Sequence, residues 1–149
     1  NSYPRLIAVG RLDADSEGLL LLTTSGVLAN ALTDPEHHVP KRYMLTVRGR
    51  VEQEAIAALR NGIDLKDGPT RPAEARLIEI CGDNSRVELV LTEGRNRQAR
   101  RMLAAVGHPV ERLIRTSIGD LELGDLKAGS LREEPFDRFE NWIRQTGLR

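Results

Sequence analysis

Gly10-Arg11-Leu12-Asp13, with Ala14-Asp15-Ser16-Glu17-Gly18 after it, lies between an apolar run ending at Val9 and a second run, Leu19 to Leu22. Any fold that buries both runs must hold this short polar segment at its two ends. Asp13 then stands where a short strand gives way to a polar turn, with packed structure on either side. A side chain presented at a strand end over a rigid scaffold is a common place for chemistry, because packing fixes the position of the reacting group. The competing reading is structural: Asp13, Asp15 and Ser16 are all good turn formers through side-chain to backbone hydrogen bonds.

The rest of the chain limits what such a carboxylate can belong to. Its 149 residues suit one domain with a sizeable core. Cys81 is the single cysteine, which excludes a disulfide framework or a Cys-rich zinc site and suits a reducing cytoplasm. No apolar run approaches the length of a membrane span, so a cytoplasmic location is expected. His37, His38 and His108 lack Cys or carboxylate partners at ligand spacing, and no metal is expected. Lys plus Arg and Asp plus Glu number 22 each, so net charge by itself points to no polyanionic partner.

The charge is nevertheless segregated. Between Glu93 and Arg115 stand Arg95, Arg97, Arg100, Arg101, Arg112 and Arg115, against only Glu93 and Glu111. All six cations are arginine, which favours forked recognition of phosphate or carboxylate. A helix predicted over Asn96–Val106, capped by Gly107, puts Arg97, Arg100 and Arg101 on one side. Ala99, Met102, Leu103 and Val106 fall on the other, as an amphipathic helix on a core requires. The arginine stripe must face solvent, an internal carboxylate or a ligand. Arginines clustered on one face are the footprint of phosphate binding.

Other elements follow from periodicity and punctuation. Ser25 or Gly26 opens a helix through Leu32, stopped by Asp34-Pro35. Lys41 to Arg48 alternates as a strand with Tyr43, Leu45 and Val47 on one face. Val51 to Asn61 is a helix capped by Gly62. Strands at Ala73–Ile80 and Arg86–Thr92 form a hairpin across Gly82-Asp83-Asn84-Ser85. Strands at Val110–Thr116 and Leu121–Leu123 follow, then a helix over Phe136–Thr146 that carries Trp142. Mixing hairpins with single helices implies an α+β fold with a mixed, largely antiparallel sheet and flanking helices. The opening Tyr3 to Val9 reads as the middle of a fold, so a preceding segment with a first strand is expected.

Taken in order, Gly10-Arg11-Leu12-Asp13 with Ser16-Glu17-Gly18-Leu19-Leu20-Leu21-Leu22-Thr23, Lys41-x-Tyr43, Glu93-Gly94-Arg95-Asn96-Arg97-Gln98-Ala99-Arg100-Arg101-Met102 and Arg112-Leu113-Ile114-Arg115 resemble the signature segments of RNA pseudouridine synthases. The likeness is to the branch that modifies uridines in ribosomal RNA, and it runs roughly from Leu6 to Glu133. It departs in two places: the Lys-Pro turn on a first strand is absent, and Ala99 replaces the usual branched aliphatic residue.

The resemblance implies a cytoplasmic, monomeric catalytic domain over residues 1–149, without cofactor or metal, whose partner is ribosomal RNA. By that likeness Asp13 is the catalytic aspartate acting at the ribose, Arg100 the cation paired with it, and Tyr43 the ring that stacks on the target base. Arg11 corresponds to the arginine that contacts the nucleic acid once the uridine leaves its stack. Lys41, Arg95, Arg97 and Arg101 are expected at phosphates, and Arg115, grouped with the RNA-binding residues, either holds the pocket or supports Arg100 from behind. Two rivals remain: a noncatalytic RNA-binding module on the same scaffold, and an acid/base hydrolase using Asp13 with Asp15 or Glu17.

Overall fold

The computed structural model describes residues 5–135, 137, 138 and 144. The helix expected over Phe136–Thr146 falls largely outside them.

The two apolar runs flanking Asp13 become paired strands. β1 (Ile7–Val9) and β3 (Leu21–Thr23) are antiparallel, with Ile7 opposite Thr23 and Val9 opposite Leu21. Between them β2 (Glu17–Gly18) leaves this ladder and pairs elsewhere. α1 (Gly26–Thr33) follows, its start fixed by the Ser25 hydroxyl, which accepts the Leu28 N–H at 3.1 Å. A 3₁₀ turn at Pro35–His37 leads into β4 (Lys41–Arg48). α2 (Gln53–Asn61), the small hairpin of β5 (Asp64–Leu65) and β6 (Gly68–Pro69), and the long hairpin of β7 (Glu74–Cys81) and β8 (Asn84–Leu91) come next. α3 (Gln98–Ala105), β9 (Val110–Ile118) and β10 (Leu121–Glu122) close the described chain.

The main sheet runs β10-β9-β4-β8-β7, antiparallel throughout, with β2 added parallel to β9. It is the mixed, largely antiparallel sheet that the order of elements implied. The β7–β8 turn has two residues, Gly82 and Asp83, and Gly82 takes φ 62°, the positive angle a tight hairpin turn demands at that position.

Alternation in β4 buries Leu45 and Val47 completely while Arg42 and Arg48 stay outside. Those two residues join Val87, Leu89, Ile56, Leu59, Met102 and Leu103 in the larger core, where α2 and α3 cover one face of the sheet. A second apolar cluster gathers Val9, Leu19, Leu28, Leu32, Val39, Ile118 and Leu121 around α1. The candidate site lies where the two meet.

The arginine helix is shorter than the periodicity suggested. α3 begins at Gln98, because Arg97 adopts the left-handed conformation with φ 50° and ends the loop instead of opening the helix. The nearly buried Gln98 side chain holds that loop in shape. Its oxygen accepts the Arg95 N–H at 3.3 Å, and its amide donates to Glu93 at 2.8 Å.

Candidate active site

A cleft of about 790 Å³ opens between the two clusters. The Gly10–Asp13 segment, Lys41, Tyr43, the loop 92–97 and Arg100 line it, and Arg115 sits at its base. Four elements therefore converge on one space: the loop after β1, the start of β4, the start of α3 and the middle of β9.

Arg115 holds these pieces together. It is 2% exposed, and its guanidinium donates to the carbonyls of Leu19 at 3.0 Å, Gly10 at 3.1 Å and Arg11 at 3.3 Å. A planar fork with five N–H groups can reach three carbonyls at once, which an ammonium on a flexible stem does poorly. β2 adds backbone pairing to the same strand, with Gly18 opposite Arg115 and the Leu19 N–H donating to the Arg115 carbonyl at 2.9 Å. The polar segment is thus fastened at both ends, so Asp13 has a defined place.

Tyr43 lies directly across the ladder from Arg115. Burial pushes the Tyr43 hydroxyl above its ordinary pKa, opposed by the nearby Arg115 guanidinium; the charge of Asp13 acts in the same direction as burial. The phenol therefore stays neutral at physiological pH. Two residues earlier on the same face, Lys41 is brought down to about 8, first by burial and then by the charge of Arg115, with Glu93 opposing. Lys41 makes no ion pair within 4 Å among the described residues.

Asp13 is three-quarters buried, and its ion pair is with Arg97, at 3.5 Å. The expected pairing with Arg100 is therefore corrected: Arg97 takes that place. Arg100 instead fastens the loop beyond Asp13, donating to the Asp15 carbonyl at 2.7 Å and to the Ser16 hydroxyl at 3.2 Å. The physical reason is reach and competition. Asp15 stands nearer the helix, takes Arg97 in a fork at 2.9 and 3.0 Å, and lies 3.7 Å from Arg100. Arg100 remains the better buried of the two arginines, its side chain 13% exposed against 44% for Arg97, and its Nε is buried without a partner.

Arg95 and Arg101 project toward Asp67 on the β5–β6 turn. Arg101 binds that carboxylate in a fork at 2.8 and 3.2 Å, and Arg95 lies 3.5 Å from it. Arg11 has an exposed side chain at the cleft and is held only through its backbone. Arg112 lies outside the cleft, forked to Glu17 at 2.9 Å. The structure thus brings Asp13, Lys41, Tyr43, Arg97, Arg100 and Arg115 together and leaves Arg101 on the rim with Arg95. Asp15, a turn former by its sequence, and Asp67 act here as anchors for arginines. A dense arginine run in a chain of zero net charge was the available signal that partner carboxylates would be found.

His37 and His108 each set Nδ1 against a backbone carbonyl, of Ala31 at 2.6 Å and Arg48 at 2.7 Å, away from the cleft. Among the described residues no three His, Cys, Asp or Glu side chains gather in a metal-holding group.

With this fold and cleft, residues 1–105 match the family model described as RNA pseudouridylate synthase. The chain belongs to that family. It is 48% identical over 138 residues to the ribosomal large subunit pseudouridine synthase E of Xanthomonas axonopodis pv. citri, spanning 83% of this chain and 73% of the relative. It is also 48% identical over 144 residues to an uncharacterised RNA pseudouridine synthase of Mycobacterium bovis, spanning 97% of this chain and 57% of that one. Among solved structures, a pseudouridylate synthase superposes with a TM-score of 0.87 at 37% identity, over 96% of this chain and 63% of the other.

Proposed function

We propose that the chain isomerises a uridine of ribosomal RNA, in the large subunit, to pseudouridine, with Asp13 as the carboxylate that acts at the ribose. The bond from uracil N1 to ribose C1′ breaks, the base turns within the cleft, and C5 forms the new bond to C1′. C5 gives up its hydrogen as a proton and N1 gains one, so no co-reactant is consumed. The observation that carries the reading is the placement of Asp13 between two strand ends, over a cleft that also presents the Tyr43 ring and the Arg100 side chain.

Each other residue has a role consistent with its surroundings. Tyr43, neutral and opposite Arg115 on the ladder, offers a flat face on which an extruded base stacks. Arg100 is the cation that serves Asp13 when RNA is bound: it is well buried, already tied to the same loop, and carries an unpartnered N–H. Arg11 contacts the RNA at the place the uridine vacates. Lys41, Arg95, Arg97 and Arg101 meet phosphates, which set orientation without reading sequence. Arg115 supports the pocket from behind.

The test is incubation of the protein and its Asp13→Asn variant with large-subunit ribosomal RNA, followed by mass-spectrometric detection of pseudouridine. Product is expected from the wild type alone. Formation at the wild-type rate by Asp13→Asn overturns the assignment of Asp13, and RNA binding without product from either protein favours the noncatalytic module.

A further inference from the structure

The arginine rim repeats one arrangement twice. Asp15 takes Arg97 in a fork at 2.9 and 3.0 Å with Arg100 behind at 3.7 Å. Asp67 takes Arg101 in a fork at 2.8 and 3.2 Å with Arg95 behind at 3.5 Å. The two carboxylates come from unrelated parts of the chain, the loop before β2 and the turn between β5 and β6, yet each binds one arginine in a fork while a second arginine donates to the backbone carbonyl of the same aspartate. A phosphodiester also presents two oxygens that an arginine fork can take. Both aspartates are about half exposed, at 52% and 49%, so the pairs open to solvent and to any competing anion.

We propose that these are two phosphate sites which the free protein keeps filled with its own carboxylates, Asp15 and Asp67, so that RNA must displace both to engage the rim. The inference rests on the RNA reading above. Its consequence is selectivity. A lone anion competes for one site at a time and gains little over the tethered carboxylate, whereas a strand with phosphates along its length competes at both sites together. Asp67 suits the part of a displaceable plug. It sits at the tip of a hairpin whose strands have two residues each, and the rim grips that tip only through Arg95 and Arg101. Asp15 lies beside Asp13, so displacing it would also release Arg97 from its present place near the reactive carboxylate.

The experiment is on Asp67, which lies away from Asp13. Binding of a large-subunit ribosomal RNA fragment is measured for the wild type, Asp67→Asn and Asp67→Ser, with and without inorganic phosphate as competitor, and the thermal midpoint of each is recorded. An exposed ion pair of ordinary strength corresponds to a gain in RNA affinity of roughly twofold to fivefold in both variants. Inorganic phosphate should then displace RNA from the variants at lower concentration than from the wild type. Arg101→Met should weaken RNA binding more in the Asp67→Asn background than in the wild type, because the arginine is then free to engage RNA. Unchanged or weaker RNA binding by both folded variants overturns the proposal and makes the Asp67 pairs purely structural. A wild type that binds no RNA overturns the RNA reading beneath it, a result distinguishable because it does not depend on any substitution.

Discussion

Lys41 carries a charge that the cleft disfavours, since burial and the neighbouring Arg115 bring it down to about 8. Below that pH the ammonium is present and can meet a phosphate; above it the amine is neutral. The folded pKa lies below the ordinary value of 10.5, so between the two the folded chain holds fewer protons than the unfolded one. The stability contribution of this group therefore rises as pH rises through that window, while its contribution to RNA binding falls. RNA affinity measured by fluorescence anisotropy should decline between pH 7 and 9, and Lys41→Met should flatten that decline by removing the titrating group. An equal decline in the variant would assign the titration elsewhere. Beside it, Arg115 is a buried guanidinium satisfied by three backbone carbonyls.

Among the elements, β2 shows how little backbone is needed to aim a side chain. It has two residues, yet it fixes the loop that carries Asp13 because Gly18 lies against β9 closely enough that a Cβ there would overlap the backbone of Arg115. Gly18 also has φ 116°, a conformation side chains resist. Gly18→Ala should therefore cost about 2 kcal/mol or more, since the strand must move away or the backbone must strain. Urea unfolding should show a lower midpoint with little change in slope, together with reduced activity as Asp13 loses its place. Secondary structure here was largely legible. β4 and the β7–β8 hairpin announced themselves by alternation and a Gly-Asp turn, and α1 by its Ser25 cap. The start of α3 was not, because helical spacing extends through Arg97 while the loop contacts of Gln98 and the fork to Asp15 hold that residue left-handed. Those contacts are tertiary and leave no periodic signal.

At the scale of the molecule, a chain with no net charge sets Arg95, Arg97, Arg100 and Arg101 beside one cleft and balances them locally with Asp13, Asp15, Asp67 and Glu93. Binding to RNA should be steeply salt-dependent, with affinity falling as salt rises by a log–log slope of about −0.7 for each phosphate neutralised on a single strand. Arg97→Met, at the mouth, should make that slope shallower by roughly one such contact and leave turnover of bound RNA nearly intact. Arg100→Met should do the reverse, lowering turnover on the order of 100-fold, as loss of a preorganised group at the reacting centre does. Matching effects from both would remove the distinction between pocket and rim. No described helix is long and apolar enough to cross a membrane.

By itself the sequence determined the family and most of the elements on which the candidate residues lie, because apolar periodicity, turn residues and ordered motifs are local properties. It also marked the arginine run as meeting anions. Only the tertiary structure decided which anion each arginine meets. Arg97 and Arg100 lie within three residues of one another, yet one faces Asp13 and the other the backbone of Asp15. That choice turns on ångström differences in reach across the cleft and on Asp15 and Asp67 arriving from distant segments. Coulomb attraction and fork geometry act through space, and the spacing of residues along the chain does not encode them.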